Sequence, residues 1–146
     1  MKNIILVLFF VLISFPGKAQ VYAQYDLGIA FNSSHPLLTN LHIGYQFNEI
    51  LTPNGVVMVE YNQRLLMEQL SNVYFGGRAG YGVNTGHYTT LAAWGNYYFK
   101  LVSGDNKQLN YWVPGYGISF SWKNISANVD YVEFVQASIG CYYLFD

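Results

Sequence analysis

Any chemistry in this chain has to start from three histidines, one cysteine and a handful of charged side chains. His35 directly follows Ser33 and Ser34. An imidazole that takes a hydroxyl proton turns the oxygen into a nucleophile, the opening step of acyl transfer. His87 stands two residues from Thr85 in a comparable setting. Neither histidine falls in a recognisable deacylase motif, so Ser34 and His35 are the pair to test and no enzymatic activity is expected. Cys141 lies in an apolar run, where a thiol packs rather than reacts, and a single cysteine excludes an internal disulfide. No metal-ligand spacing and no phosphate-binding glycine loop is present, so the chain is read as having no metal and no cofactor.

The elements that would position these groups follow from composition and pattern. The chain has 146 residues, enough for one domain, with 10% charged and 18% aromatic side chains. A soluble domain carries about 25% charged residues, so these charges cannot cover a water-facing surface. Beyond the N-terminus there is no run of about 20 apolar residues, which excludes membrane helices. A formal net charge of −1 without a basic cluster argues against nucleic acid as a partner. The N-terminus itself reads as an export signal: Lys2, an apolar stretch over 4–15, then Gly17 and Ala19 at the −3 and −1 positions of a cleavage site. Residues 1–19 are expected to be removed after Ala19, leaving a domain over 20–146. Losing Lys2 and Lys18 leaves five basic against eight acidic side chains, a net charge of −3.

Along 20–146 apolar residues recur at every second position, the period of a strand with one apolar face. Val21, Ala23, Tyr25, Leu27, Ile29 and Phe31 alternate with Tyr22, Gln24, Asp26, Gly28 and Ala30. The pattern returns over 41–48, 57–65, 72–82, 90–101, 112–122, 125–131 and 135–145, giving eight strands. Turn residues separate most of them, at 32–36, 52–55, 84–86, 103–106 and 123–124. The connections near 67–70 and 133–134 lack such residues. Short strands joined by short connections predict an antiparallel up-and-down meander. Pro114 interrupts the sixth strand, which predicts a bulge or strand start at 114–115, with 107–113 projecting beyond it.

Charge placement then selects a membrane barrel over a soluble one. The apolar face holds none of the thirteen remaining charges; Asp26, Glu60, Arg64, Arg78, Lys100 and Asp130 fall on the other face, and the rest in turns or at ends. A basic residue facing the lipid midplane costs about 2–4 kcal/mol, whereas a soluble barrel would put its charges outside. Trp112 and Trp122 share one face ten residues apart, roughly 23 Å at a 45° tilt, which suits interfacial anchors at the two membrane surfaces. Inside, Glu60 and Arg78 fall on adjacent strands with Arg64 one step along, an ion-pair network whose role is structural because eight strands leave room only for side chains.

The chain resembles the small eight-stranded outer-membrane barrels, of the OmpX kind and the OmpA transmembrane domain. The resemblance rests on Gln20 as the new N-terminus, the meander, and the alternating close Ala137, Ile139, Cys141, Tyr143 and Phe145; it departs from the usual ending in stopping on Asp146. It implies a cell outer-membrane location, export and barrel-assembly machinery and outer-membrane lipid as partners, and a monomer. The function expected is a structural or surface-interaction barrel. Two alternatives stand beside it: a lipid-modifying enzyme of the lipid A deacylase or acyltransferase type, and a narrow channel.

Overall fold

The computed structural model describes residues 19–31, 37–66, 72–86, 89–102 and 111–145. The expected export signal therefore lies outside the described residues up to position 18, as do Ser33, Ser34, His35 and His87. Eight strands follow one another: β1 (Ala19–Ala30), β2 (Leu37–Asn48), β3 (Gly55–Leu66), β4 (Asn72–Gly86), β5 (Thr89–Val102), β6 (Tyr111–Trp122), β7 (Ile125–Val132) and β8 (Phe134–Phe145). Each pairs antiparallel with its chain neighbours, and β8 pairs with β1 to close a barrel.

The registers fix the shape of the cylinder. A circuit from Val21 runs through Tyr45, Val59, Ala79, Gly95, Tyr116, Tyr131 and Val135. It returns to β1 at Phe31, whose N–H donates to the Val135 carbonyl at 2.8 Å. One turn thus advances ten residues, and a shear of ten over eight strands tilts them by about 40° from the axis. A cylinder this narrow leaves its interior to side chains.

The alternation sorts into faces with inverted polarity. Leu27, Ile29, Ile43, Tyr45, Ile118 and Ile139 point outward and are about half exposed, whereas inward-facing Asp26, His42 and Asn62 have 0% exposure. Large inward groups require small neighbours. A Cβ at Gly117 would lie 2.0 Å from Asp130 Oδ1 and 2.8 Å from the Val129 carbonyl, and one at Gly80 would lie 2.6 Å from the Trp94 ring.

Two details differ from the sequence expectation. The ladder between β5 and β6 runs without a shift from Tyr111 to Trp122, pairing Pro114 opposite Tyr97. There is no bulge or strand start at 114–115, and 111–113 belong to the strand rather than projecting from it. The reason lies on the opposite flank. The β6–β7 ladder begins only at Tyr116, so on that side Pro114 has no pairing for its missing N–H to interrupt. The second difference is at Asn84, Thr85 and Gly86, which continue β4 with a register shift rather than forming a turn. Asn84 is held there by its N–H on the Asn54 carbonyl at 2.8 Å and by the Thr90 hydroxyl donating to its Oδ1 at 2.7 Å.

The connection without turn residues is resolved by side chains. Val132 pairs with Phe134, so the chain reverses at Glu133, in the left-handed region at φ 62°. That conformation is unfavourable for glutamate. Its carboxylate accepts from Tyr74 at 2.5 Å, from Lys100 at 2.8 Å and from Tyr111, which holds the turn to β4, β5 and β6.

Gly117→Val tests the packing claim. The new side chain meets a backbone carbonyl that cannot yield, and overpacking of this kind costs about 1–3 kcal/mol. Denaturant unfolding of the folded barrel in vesicles should show a loss in that range; an unchanged midpoint would mean the lumen is looser than described.

Candidate functional site

The lumen is built in three layers. At the end where β7 reverses into β8 at Glu133, called here the loop end, Ala30, Leu38, Tyr74, Tyr98, Val113 and Val132 form an apolar cluster. Toward the other end, where Lys123 and Asn124 turn, Tyr22, Val56, Met58, Ala92 and Trp94 form a second, with Tyr142 and Leu144 packed on it. Between them the inward positions of the strands carry a polar belt that includes Asp26, His42, Glu60, Asn62, Arg78 and Asp130, all buried.

Glu60 is the centre of one half of the belt. It stands opposite Arg78 in the β3–β4 ladder and accepts from Arg78 Nε. Tyr22 donates its hydroxyl to the same carboxylate, and His42 Nδ1 lies 2.6 Å from Oε1. The other ring nitrogen of His42 is 3.0 Å from Asp26 Oδ2. Both ring nitrogens thus face carboxylates, and the Asn62 side-chain amide lies 2.7 Å from Nδ1. The guanidiniums of Arg64 and Arg78 share the belt with three carboxylates, Asp26, Glu60 and Asp130. Asp26 also accepts from Gln24 at 2.8 Å, Asn128 at 2.9 Å and Ser126 at 3.0 Å.

Arg64 does not join Glu60. It crosses the lumen to donate to Asp130 at 2.7 Å and to Gln136 at 2.6 Å, and the Arg78 guanidinium approaches Asp130 at 3.7 Å. The two guanidiniums also lie over aromatic rings, Arg78 4.0 Å from the Trp94 centroid and Arg64 4.9 Å from that of Tyr98. Such cation–π contacts strengthen where water is excluded.

A tyrosine, a glutamate, a histidine and an aspartate in hydrogen-bonded sequence have the makings of an acid–base relay. Here they lie between the two apolar layers. His42 reaches Asp26 and Glu60 from opposite edges of its ring, so the two carboxylates do not converge, and among the described residues no His, Cys, Asp or Glu group has metal-binding geometry.

Trp112 and Trp122 are both outward, near opposite ends of β6. Trp112 stacks on Tyr97 with centroids 5.0 Å apart, and the Lys123 ammonium lies 5.0 Å from the Trp122 centroid. Cys141 is exposed on the outer face. The belt partners that sequence reasoning left without a role are Tyr22, Asp26, His42 and Asp130. Inward phase was their only signal, because the pairing registers that bring them together cannot be read from one strand at a time. At the loop end, burial raises the Glu133 carboxyl, but hydrogen bonds from Lys100, Tyr111 and Tyr74 outweigh it and hold the group below the ordinary glutamate range.

The sequence matches no protein-family profile and no curated protein. The fold has solved counterparts. A de novo designed transmembrane β-barrel superposes with a TM-score of 0.54 at 11% identity, over 90% of this chain and 98% of that one. The Yersinia pestis outer membrane protein Ail in a phospholipid bilayer nanodisc gives 0.54 at 11% identity, over 88% of this chain and 100% of that one. At this identity the likeness establishes the fold, that of the small eight-stranded transmembrane barrels.

Two measurements test the site. Glu60→Gln or Arg78→Met alone leaves a buried partner charge uncompensated, which costs about 3–5 kcal/mol. The double variant should lose less than the sum of the two, with recovery limited because Glu60 also serves Tyr22 and His42. Additive losses in vesicle unfolding would mean that solvent screens the pair. The second concerns acid. A carboxyl with a lowered folded pKa contributes stability that is full above the unfolded value, about 4.3, and is lost as pH falls through the folded value. Glu133→Gln should therefore flatten the acid limb of stability against pH, and an unaltered limb would show that the turn does not depend on the ionised group.

Proposed function

We propose that this chain is an integral outer-membrane β-barrel, a monomer with a side-chain-filled lumen and a structural or surface-interaction role. The observation that carries the reading is the inverted polarity of the two faces. An outer surface of Leu27, Ile29, Ile43, Tyr45, Ile118 and Ile139 would drive association in water. In hydrocarbon it is the low-energy surface, and closing β8 on β1 pairs the two outer strands of the sheet. Aromatic side chains border this surface at both ends, with Trp122, Tyr143 and Phe145 at the turn end and Tyr97, Phe99 and Trp112 at the loop end. That is the girdle arrangement of membrane barrels. The fold shared with Ail, a structure held in a phospholipid bilayer, supports the same environment.

Lipid is then the main partner. Export with cleavage after Ala19 and insertion by assembly machinery are the route such a barrel requires. Barrels of this type place short turns toward the periplasm and longer connections outside, so contact with other molecules falls to the loop end. The two apolar layers argue against a channel, since an ion would have to cross both without polar partners.

Refolding into phospholipid vesicles tests the reading. The chain should partition with lipid, migrate differently on gels when boiled and unboiled, and give no steady conductance across a planar bilayer. A soluble monomer in plain buffer would overturn the membrane assignment, and steady single-channel currents would overturn the filled lumen.

A further inference from the structure

Beneath the lower apolar layer the barrel opens at its turn end into a cavity of about 910 Å³, within the size range of small-ligand pockets. Neutral amides and hydroxyls form part of its walls, among them Gln20, Gln46, Asn48, Asn84, Ser121 and Asn124, beside apolar Pro53 and Ile125. Tyr142 and Leu144 line it and also pack on the apolar cluster, so they form its floor. Among the described residues the charges at the lining are Glu49 and Lys123, of opposite sign.

The amides are fixed in place by one another. Tyr142 donates its hydroxyl to Gln46 at 2.7 Å, Gln46 donates to Asn48 at 2.7 Å, and Asn48 donates to Gln20 at 3.0 Å. Across the mouth, the Thr90 hydroxyl holds Asn84. A primary amide offers two N–H donors and an oxygen with two lone pairs, so these bonds leave donors and acceptors over in a preorganised ring.

We propose that this cavity binds the end of a neutral oligosaccharide. A sugar hydroxyl both donates and accepts, which matches side-chain amides, and the apolar face of a pyranose suits the Tyr142 ring on the floor. A phosphate or other anion finds no cationic cluster among the described residues here, and an apolar ligand would strip water from the amides without replacing their hydrogen bonds. An extended peptide binds best by adding to a sheet edge, and at the turn end β8 pairs with β1 to close the sheet. The inference needs only the closed barrel and stands apart from the lipid reading.

The test uses the refolded barrel in dodecylphosphocholine micelles, which carry no sugar headgroup to compete. Tri-N-acetylchitotriose is titrated while the Asn and Gln side-chain amides are followed by NMR. Saturable shifts confined to the cavity side chains are expected. Asn84→Ala combined with Ser121→Ala should weaken binding about tenfold, the scale of a lost hydrogen bond to a ligand, with gel migration confirming the fold. Asn124→Ala, in the exposed turn, serves as the second variant should the first not refold. No saturable shift, unchanged affinity in the folded variants, or tighter binding of inorganic phosphate or a neutral tetrapeptide would overturn the proposal.

Discussion

The interior depends on one carboxylate. Glu60 on β3 takes hydrogen bonds from Tyr22 on β1, from Arg78 on β4 and, through the shared ring, from His42 on β2. Four consecutive strands are thereby tied to a single side chain. Asp26 extends the tie across the lumen to Ser126 and Asn128 on β7 and Ser138 on β8. Asp130 returns it to β3 through Arg64. A buried charge is tolerated only when paired and hydrogen-bonded, so each of these contacts is a condition of the others. Loss of Glu60 would strand a guanidinium, an imidazole and a phenol together.

Such a network takes volume, and the glycines supply it. Gly44 faces Glu60, Gly80 lies against the Trp94 ring, Gly117 sits under Asp130, and Gly140 is close to Asp26. A Cβ at any of these would come within 3 Å of the neighbour. Glycine in a strand is otherwise unfavourable. The lumen thus alternates bulky polar groups with bare backbone, and the apolar layers above and below finish the filling.

The period-two pattern was enough to read eight strands, their faces and the segregation of charge, because alternation is a property of each strand alone. Strand ends were less legible. Leu37 and Leu38 extend β2 four residues before the expected start, and Asn84 to Gly86 continue β4 where turn residues suggested an end. In both places pairing partners override local preference. Pro114 was misread for a related reason: its effect depends on whether a neighbour lies on its N–H side, and that neighbour is set by the length of β7. The partners of Arg64 were out of reach altogether, since Asp130 is 66 residues away along the chain and adjacent only across the lumen.

Interior charge also bears on specificity. An eight-stranded barrel with apolar residues on both faces would fold into lipid with many registers of similar energy, because nothing would distinguish a slipped strand. Side chains alternate with a period of two, so a slip by one residue exchanges the faces. In β3 such a slip would move Glu60 and Arg64 into lipid, and in β4 it would move Arg78. A basic side chain at the midplane costs about 2–4 kcal/mol, and each would also abandon its partner inside. The penalty is charged to every wrong register and to none of the native pairings. The polar belt is therefore weak evidence of net stabilisation and strong evidence of a single allowed register.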